Sequence, residues 1–166
     1  MADYTSTQLL TTSVNIEAKH IQGDINELLY KSLIKKYEGV CNKDGYVQKN
    51  SLEIVNRSIG EVKTINNTSY IVYNITYKAN IYSPVKGTKL DVCINSITKM
   101  GIIAYLKDTD TDTIESSPFI VIIPKEYFGE DGSFDQYLVN QKIKVQIEDS
   151  RIKYMSPNIQ IVARPL

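Results

Sequence analysis

The chain has 166 residues and a mass of 18.8 kDa, room for one ordinary domain or two small ones. Apolar residues make up 42% and charged residues 23%, values of a folded chain that exclude wholesale disorder. With 19 Lys+Arg against 19 Asp+Glu the formal net charge is +0, which excludes a polycation that holds nucleic acid by bulk charge alone.

The first half reads as a strand, a helix and a run of strands. Asp24 is an acidic N-cap with Glu27 three residues later, a variant of the capping box that satisfies orphan helix N–H groups. Ile25, Leu28, Leu29, Leu33 and Tyr37 recur at helical spacing and predict an amphipathic helix over 24–37, with Gly39 placed for a left-handed cap. Residues 40–48 and 51–56 read as short strands, and 60–69 as a polar, Asn-rich stretch. The clearest strand is 70–82, where Ile71, Tyr73, Ile75, Tyr77, Ala79 and Ile81 share one face and Asn74, Thr76, Lys78 and Asn80 the other. Pro84 stops it, and a domain boundary is expected there, giving domains 1–84 and 85–166.

The second half is almost all strand. Leu90, Val92 and Ile94 alternate with Asp91, Cys93 and Asn95, and Lys99-Met100-Gly101 turns the chain into 102–106. An acidic loop over 108–117 leads to an apolar strand over 119–123, and Pro124 opens a short helical turn. Ile143, Val145 and Ile147 mark a strand over 142–148, and a last strand covers 158–163. Five short strands with a helical turn between the third and fourth is the order of an OB barrel. The expected fold is α+β and mostly β: one helix packed on an antiparallel sheet, then a five-stranded OB barrel.

No motif points to catalysis or to a cofactor. His20 is the sole histidine, so a His-based dyad or a multi-histidine metal site has no second member, and a solvated or capping role is expected. Lys86-Gly87-Thr88-Lys89 lacks the glycine spacing that cradles phosphate. Asp108, Asp110 and Asp112 resemble the opening of a calcium loop, but Thr113 stands where glycine is needed and Phe119 where glutamate is needed. Glu126, Glu130 and Asp131 are acids with no partner in sequence, and the Asn-X-Ser/Thr triplets at Asn56, Asn66, Asn67 and Asn74 follow from abundant Asn, Ser and Thr. Cys41 and Cys93 are far apart, as two reduced, partly buried thiols would be. No apolar run approaches the roughly 20 residues needed to span a bilayer, and the N-terminus has no basic start before an apolar stretch. A soluble intracellular protein without a membrane partner is expected. Heavy use of Ile, Asn, Lys and Tyr fits an AT-rich genome.

Nucleic-acid binding has residues to support it. Lys99, Tyr105, Lys107, Lys125, Arg151, Lys153 and Tyr154 lie on or beside the expected barrel strands. Stacking aromatics flanked by cations are how OB folds hold single strands. Against this, residues 85–166 carry 10 basic and 11 acidic side chains, so the barrel half is not basic.

Two strings carry a family resemblance. Residues 36–41, KYEGVC, followed by Asp44-Gly45-Tyr46-Val47, resemble the helix end and tip loop of the larger stalk subunit of archaeal and eukaryotic RNA polymerases. Residues 72–106 resemble the same family's long strand ending in an aromatic and Pro, then Lys-Gly, a barrel strand, and a Gly that opens the next strand. The resemblance implies a non-catalytic polymerase subunit whose tip domain docks on the core and whose OB barrel meets emerging RNA. The docking role would fall on Gly39, Cys41, Asp44, Gly45 and Tyr46. The implied partners are the large catalytic and small core subunits, a smaller helical stalk subunit, and nascent single-stranded RNA held weakly. This chain has Ile102 and Ile103 where the family commonly has aromatic residues, which removes a stacking platform. Such a subunit would work in the nucleus of a cell, or in the factory or virion of a virus. The alternative is a stand-alone OB-fold RNA-binding module of translation or RNA decay.

Overall fold

The structure, a computed structural model, describes residues 4–107, 113–129 and 133–166. The aspartates read as a calcium-loop opening (Asp108, Asp110, Asp112) and the acids Glu130 and Asp131 lie outside the described residues. The chain divides into two compact units. One holds Ser6–Glu38 and Val47–Ile81; the other holds Tyr82–Leu166 with Gly39–Tyr46 and the N-terminus up to Thr5. The change of unit at Tyr82 lies close to Pro84, and Gly39–Tyr46 joins the later unit.

The first unit is a helix on a sheet. Strand β1 (Thr5–Glu17) lies beside β5 (Thr68–Tyr82), whose other side pairs in turn with β2 (Tyr46–Val47), β3 (Glu53–Arg57) and β4 (Glu61–Ile65). Helix α1 (Ile25–Tyr37) starts as expected at Asp24, whose carboxylate accepts the Asn26 N–H at 2.9 Å. Glu27 instead reaches Lys31 at 3.0 Å, one turn on. Gly39 takes a φ of 75° just past the helix, the left-handed conformation expected of it. Leu29 and Leu33 are fully buried against Val14, Tyr73, Ile75, Tyr77, Ala79 and Ile81. Each such leucine contributes about 1.5–3 kcal/mol of hydrophobic stabilisation. The Glu38 carboxylate accepts the N–H groups of Asn50 and Leu52 at 3.1 and 3.2 Å and so ties the helix end to the segment entering β3.

Residues 60–69, read as a polar stretch, fold as a hairpin. β4 runs antiparallel to the start of β5 from Glu61↔Val72 to Ile65↔Thr68. Asn66 and Asn67 both have positive φ, 50° and 66°, the conformation of a two-residue hairpin turn that asparagine tolerates. Polarity hid the strand because all five residues of β4 are exposed.

The second unit is the expected barrel. β6 (Lys89–Thr98), β7 (Gly101–Tyr105), β8 (Phe119–Pro124), β9 (Lys142–Arg151) and β10 (Ile159–Pro165) close in the order β10-β8-β7-β6-β9. β10 runs parallel to β8 and antiparallel to β9, and all other neighbours are antiparallel. Two short 3₁₀ turns, Lys125–Tyr127 and Ser133–Gln136, lie between the third and fourth barrel strands. Leu90, Val92, Ile94, Ile102, Ala104, Val121, Ile123, Val145, Ile147, Ile159 and Ile161 fill the interior. Ser117, fully buried, donates from its hydroxyl to the Leu106 carbonyl at 2.7 Å and accepts the Phe119 N–H at 3.3 Å, fixing the entry to β8. Tyr4 packs edge-on against Tyr82 and Phe119 at 5.5 and 5.3 Å.

Gly101 opens β7 with a φ of 148°, and a Cβ there would run into the Ile123 carbonyl oxygen and Pro124 Cα across the β7–β8 ladder. Gly101→Ala is therefore expected to lower stability by about 2 kcal/mol or more, read as a fall in the urea midpoint. An unchanged midpoint would show that the β7–β8 pair can yield at this point.

Candidate nucleic-acid interface and loop anchor

The residues expected to dock lie on one loop. The Asn42 side-chain oxygen accepts the N–H groups of Asp44 and Gly45 at 2.7 and 3.0 Å, while the Asn42 N–H donates to the Gly45 carbonyl at 2.8 Å. Gly45 closes this turn at a φ of 155°. Cys41 and Tyr46 form an isolated bridge across it. Both belong to the barrel core, at 1% and 3% exposure, and Tyr46 stacks on Tyr82 at 5.9 Å. Asp44 is exposed and Gly39 half-buried. The structure thus brings Cys41, Asp44, Gly45 and Tyr46 together, with two side chains turned inward and Asp44 outward.

This loop is hydrogen-bonded to the β9–β10 connection. The Cys41 N–H donates to the Ser156 carbonyl and the Met155 N–H to the Cys41 carbonyl, both at 2.8 Å. The Cys41 thiol points at the Asn158 carbonyl, 3.5 Å away. Met155 takes a φ of 65° as the chain turns.

The residues expected to bind RNA fall into three groups. Arg151 and Lys153 border a cavity of about 160 Å³ with Ser156, Asn158 and Gln160, and Tyr154 stands beside them at 64% exposure. Lys99 sits in the β6–β7 turn, and the Lys125 N–H donates to the Met100 carbonyl at 3.0 Å, so these two cations belong to one end of the barrel. The Lys125 ammonium also lies 5.2 Å from the Phe134 ring centre. Lys107 faces a different cavity, with Lys142 and Lys144. Tyr105 is buried at 6% exposure, so its ring does not offer the stacking face expected of it. Ile102 is fully buried too, because the β7 alternation points it into the barrel; Ile103 is the residue turned outward.

Sequence reasoning missed Lys142 and Lys144. Their alternation with Ile143 and Val145 marked them as outward, but their neighbours across β6 follow from barrel closure alone. It also missed the exposed apolar residues of the first unit, Val55, Ile59, Val62 and Ile65, of which Ile59 is 91% exposed.

Elsewhere the chemistry is quiet. His20 is exposed, with Nε2 3.0 Å from the Glu17 carboxylate, and Glu126 is exposed. Among the described residues no cluster of three or more His, Cys, Asp or Glu side chains could hold a metal ion. No helix among them is long and apolar enough to cross a membrane.

A helix-on-sheet unit and a closed OB barrel with cations and an exposed tyrosine on its loops define a two-part OB-fold protein. No protein-family model matches the chain. Two characterised proteins do. One is the DNA-directed RNA polymerase II subunit rpb7 of Dictyostelium discoideum, 23% identical over 128 residues, 76% of this chain. The matched stretch spans 66% of that protein's length. The other is DNA-directed RNA polymerase II subunit 7 of Arabidopsis thaliana, 21% identical over 163 residues, 93% of this chain and 85% of that one. The chain is thus similar to the seventh-subunit family of multisubunit RNA polymerases along most of its length, as residues 36–47 and 72–106 predicted. Both relatives are from cellular eukaryotes, and neither supports a viral source.

Burial pushes the Cys41 thiol up from 9.0 to about 11. The unfolded chain therefore releases this proton first, and the native state loses stability as pH rises from 9.0 toward about 11. Urea midpoints of the wild type should fall more steeply over that window than those of Cys41→Ala, which lacks the titrating group. Parallel curves would mean that the thiol is solvated.

Proposed function

We propose that the chain is a non-catalytic stalk subunit of a multisubunit DNA-directed RNA polymerase, working in the nucleus of a eukaryotic cell. The observation that carries this reading is the pairing, in one chain, of a helix-on-sheet unit and a closed OB barrel with similarity to two proteins named as polymerase II subunit 7. The 1–84 part docks on the large catalytic and small core subunits, a smaller helical subunit packs alongside, and the 85–166 barrel guides nascent RNA.

Docking has two supports of different kinds. Asp44 is exposed on the Gly39–Tyr46 loop, next to the exposed Lys43, and the buried Cys41 and Tyr46 hold that loop in place. Ile59, Val62 and Ile65 give the first unit exposed apolar side chains. A protein partner would remove such side chains from water. Pull-down of the tagged chain should recover the large polymerase subunits stoichiometrically. The double change Ile59→Asp and Val62→Asp should abolish that recovery while leaving the circular dichroism spectrum and melting temperature near wild type. Recovery of translation or RNA-decay proteins in place of polymerase subunits would favour the stand-alone module.

RNA guidance rests on Arg151, Lys153 and Tyr154 at the β9–β10 connection, with Lys99 and Lys125 at the other cationic group. Among these residues Tyr154 is the one aromatic, and a single stacking face is worth roughly 1–3 kcal/mol per base. Backbone contacts then dominate, so binding to single strands should be weak, indifferent to sequence, and about tenfold weaker at 200 than at 50 mM salt. Reversing Lys153 to Glu should cost more affinity than Tyr154→Ala in a fluorescence-anisotropy titration. Tight, salt-insensitive binding lost with Tyr154 would overturn this account.

A further inference from the structure

The barrel carries a second concentration of positive charge that the RNA reading does not use as a unit. β6 pairs with β9 from Lys89↔Gln146 to Cys93↔Lys142, which sets Lys144 opposite Asp91 and Lys142 opposite Cys93. Leu90, Val92, Ile143 and Val145 of these strands belong to the barrel core, so the alternation leaves Asp91, Lys142 and Lys144 on the outer surface. Lys107, two residues past the end of β7, completes the group. Together they border a cavity of about 390 Å³, with Cys93 also in its wall.

Three observations make this more than a solvated face. All three lysines are exposed and, among the described residues, none of them makes an ion pair, although lysines and arginines on other strands do, Lys78 with Glu53 and Arg164 with Glu148. Among the described residues one acid, Asp91, lines the cavity with three lysines, while residues 85–166 as a whole carry 10 basic and 11 acidic side chains. The concentration is therefore local. Like charges gathered around one concavity repel, and an anion seated among them relieves that repulsion. The volume falls in the range of small-ligand sites, about 300–1,000 Å³.

We propose that Lys107, Lys142 and Lys144 form a phosphate-binding site on the β6–β9 side of the barrel, with Asp91 limiting its affinity. Lysine is a compact point charge with three donors and suits phosphate oxygens approached from several directions. The phosphates come either from a free nucleotide or from an RNA chain. The proposal is independent of the polymerase reading, since it rests on this cavity alone.

Calorimetric titration of the full chain with inorganic tripolyphosphate tests it. Wild type should bind at a single site. Replacing all three lysines by Gln should weaken binding about tenfold or more, replacing them by Arg should retain it, and Asp91→Asn should tighten it. Arg151→Gln with Lys153→Gln should leave it unchanged. Competition assigns the source: displacement by ATP alone marks a nucleotide site, and displacement by a 5′-hydroxyl RNA of about ten nucleotides marks an RNA-chain site. Absence of tripolyphosphate binding by the wild type, or equal loss in the Arg151/Lys153 variant, would overturn the proposal. All the altered side chains are exposed, so circular dichroism should match wild type throughout.

Discussion

Closure of the barrel depends on one strand changing partners. β6 pairs with β9 through its first half and with β7 through its second, and Cys93 is paired to both, opposite Lys142 on one side and Tyr105 on the other. The register with β7 then slips between Ile94 and Ser96. That bulge brings Ile97 to the interior after Leu90, Val92 and Ile94, so the strand bends without giving up core side chains. With β6 committed on both edges, the parallel β8–β10 pair closes the remaining gap and no edge is left exposed. The same change of partner brings Lys107, at the end of β7, to the cavity shared with Lys142 and Lys144 of β9.

The Gly39–Tyr46 loop makes a second dependence. Its backbone pairs with the β9–β10 connection through Cys41, Met155 and Ser156, and its Cys41 and Tyr46 side chains complete the barrel core. A segment that follows the helix in sequence thus supports the loop that carries Arg151, Lys153 and Tyr154. The two loops expected to contact different partners are joined by backbone hydrogen bonds and a buried thiol, so a change in one has a direct physical route to the other.

The legible parts of the fold were those where burial and periodicity coincide. α1 was readable because Leu29 and Leu33 needed one apolar stripe and Asp24 and Gly39 supply its end chemistry. β5 and the barrel strands were readable because each has one buried face. β4 was not, since a strand solvated on both sides leaves no hydrophobic alternation, and its sign was the Asn66-Asn67 turn. Among the expected site residues, Tyr154, in the β9–β10 connection, proved exposed and Tyr105, the last residue of β7, buried.

The sequence by itself determined the order of elements apart from β4, the inward side chains of most strands, the absence of bulk positive charge, and a resemblance strong enough to point to one family of polymerase subunits. Tertiary structure alone decided which surface residues meet. Periodicity is a local property and says only that a side chain faces outward; its neighbours depend on strand order, register and bulges. The lysines at 107, 142 and 144 are brought to one cavity by strand pairings far apart in sequence, among them Asp91 with Lys144 and Cys93 with Lys142. Cys41 reaches Met155 and Ser156 in the same way, through a closed barrel that no window along the chain contains.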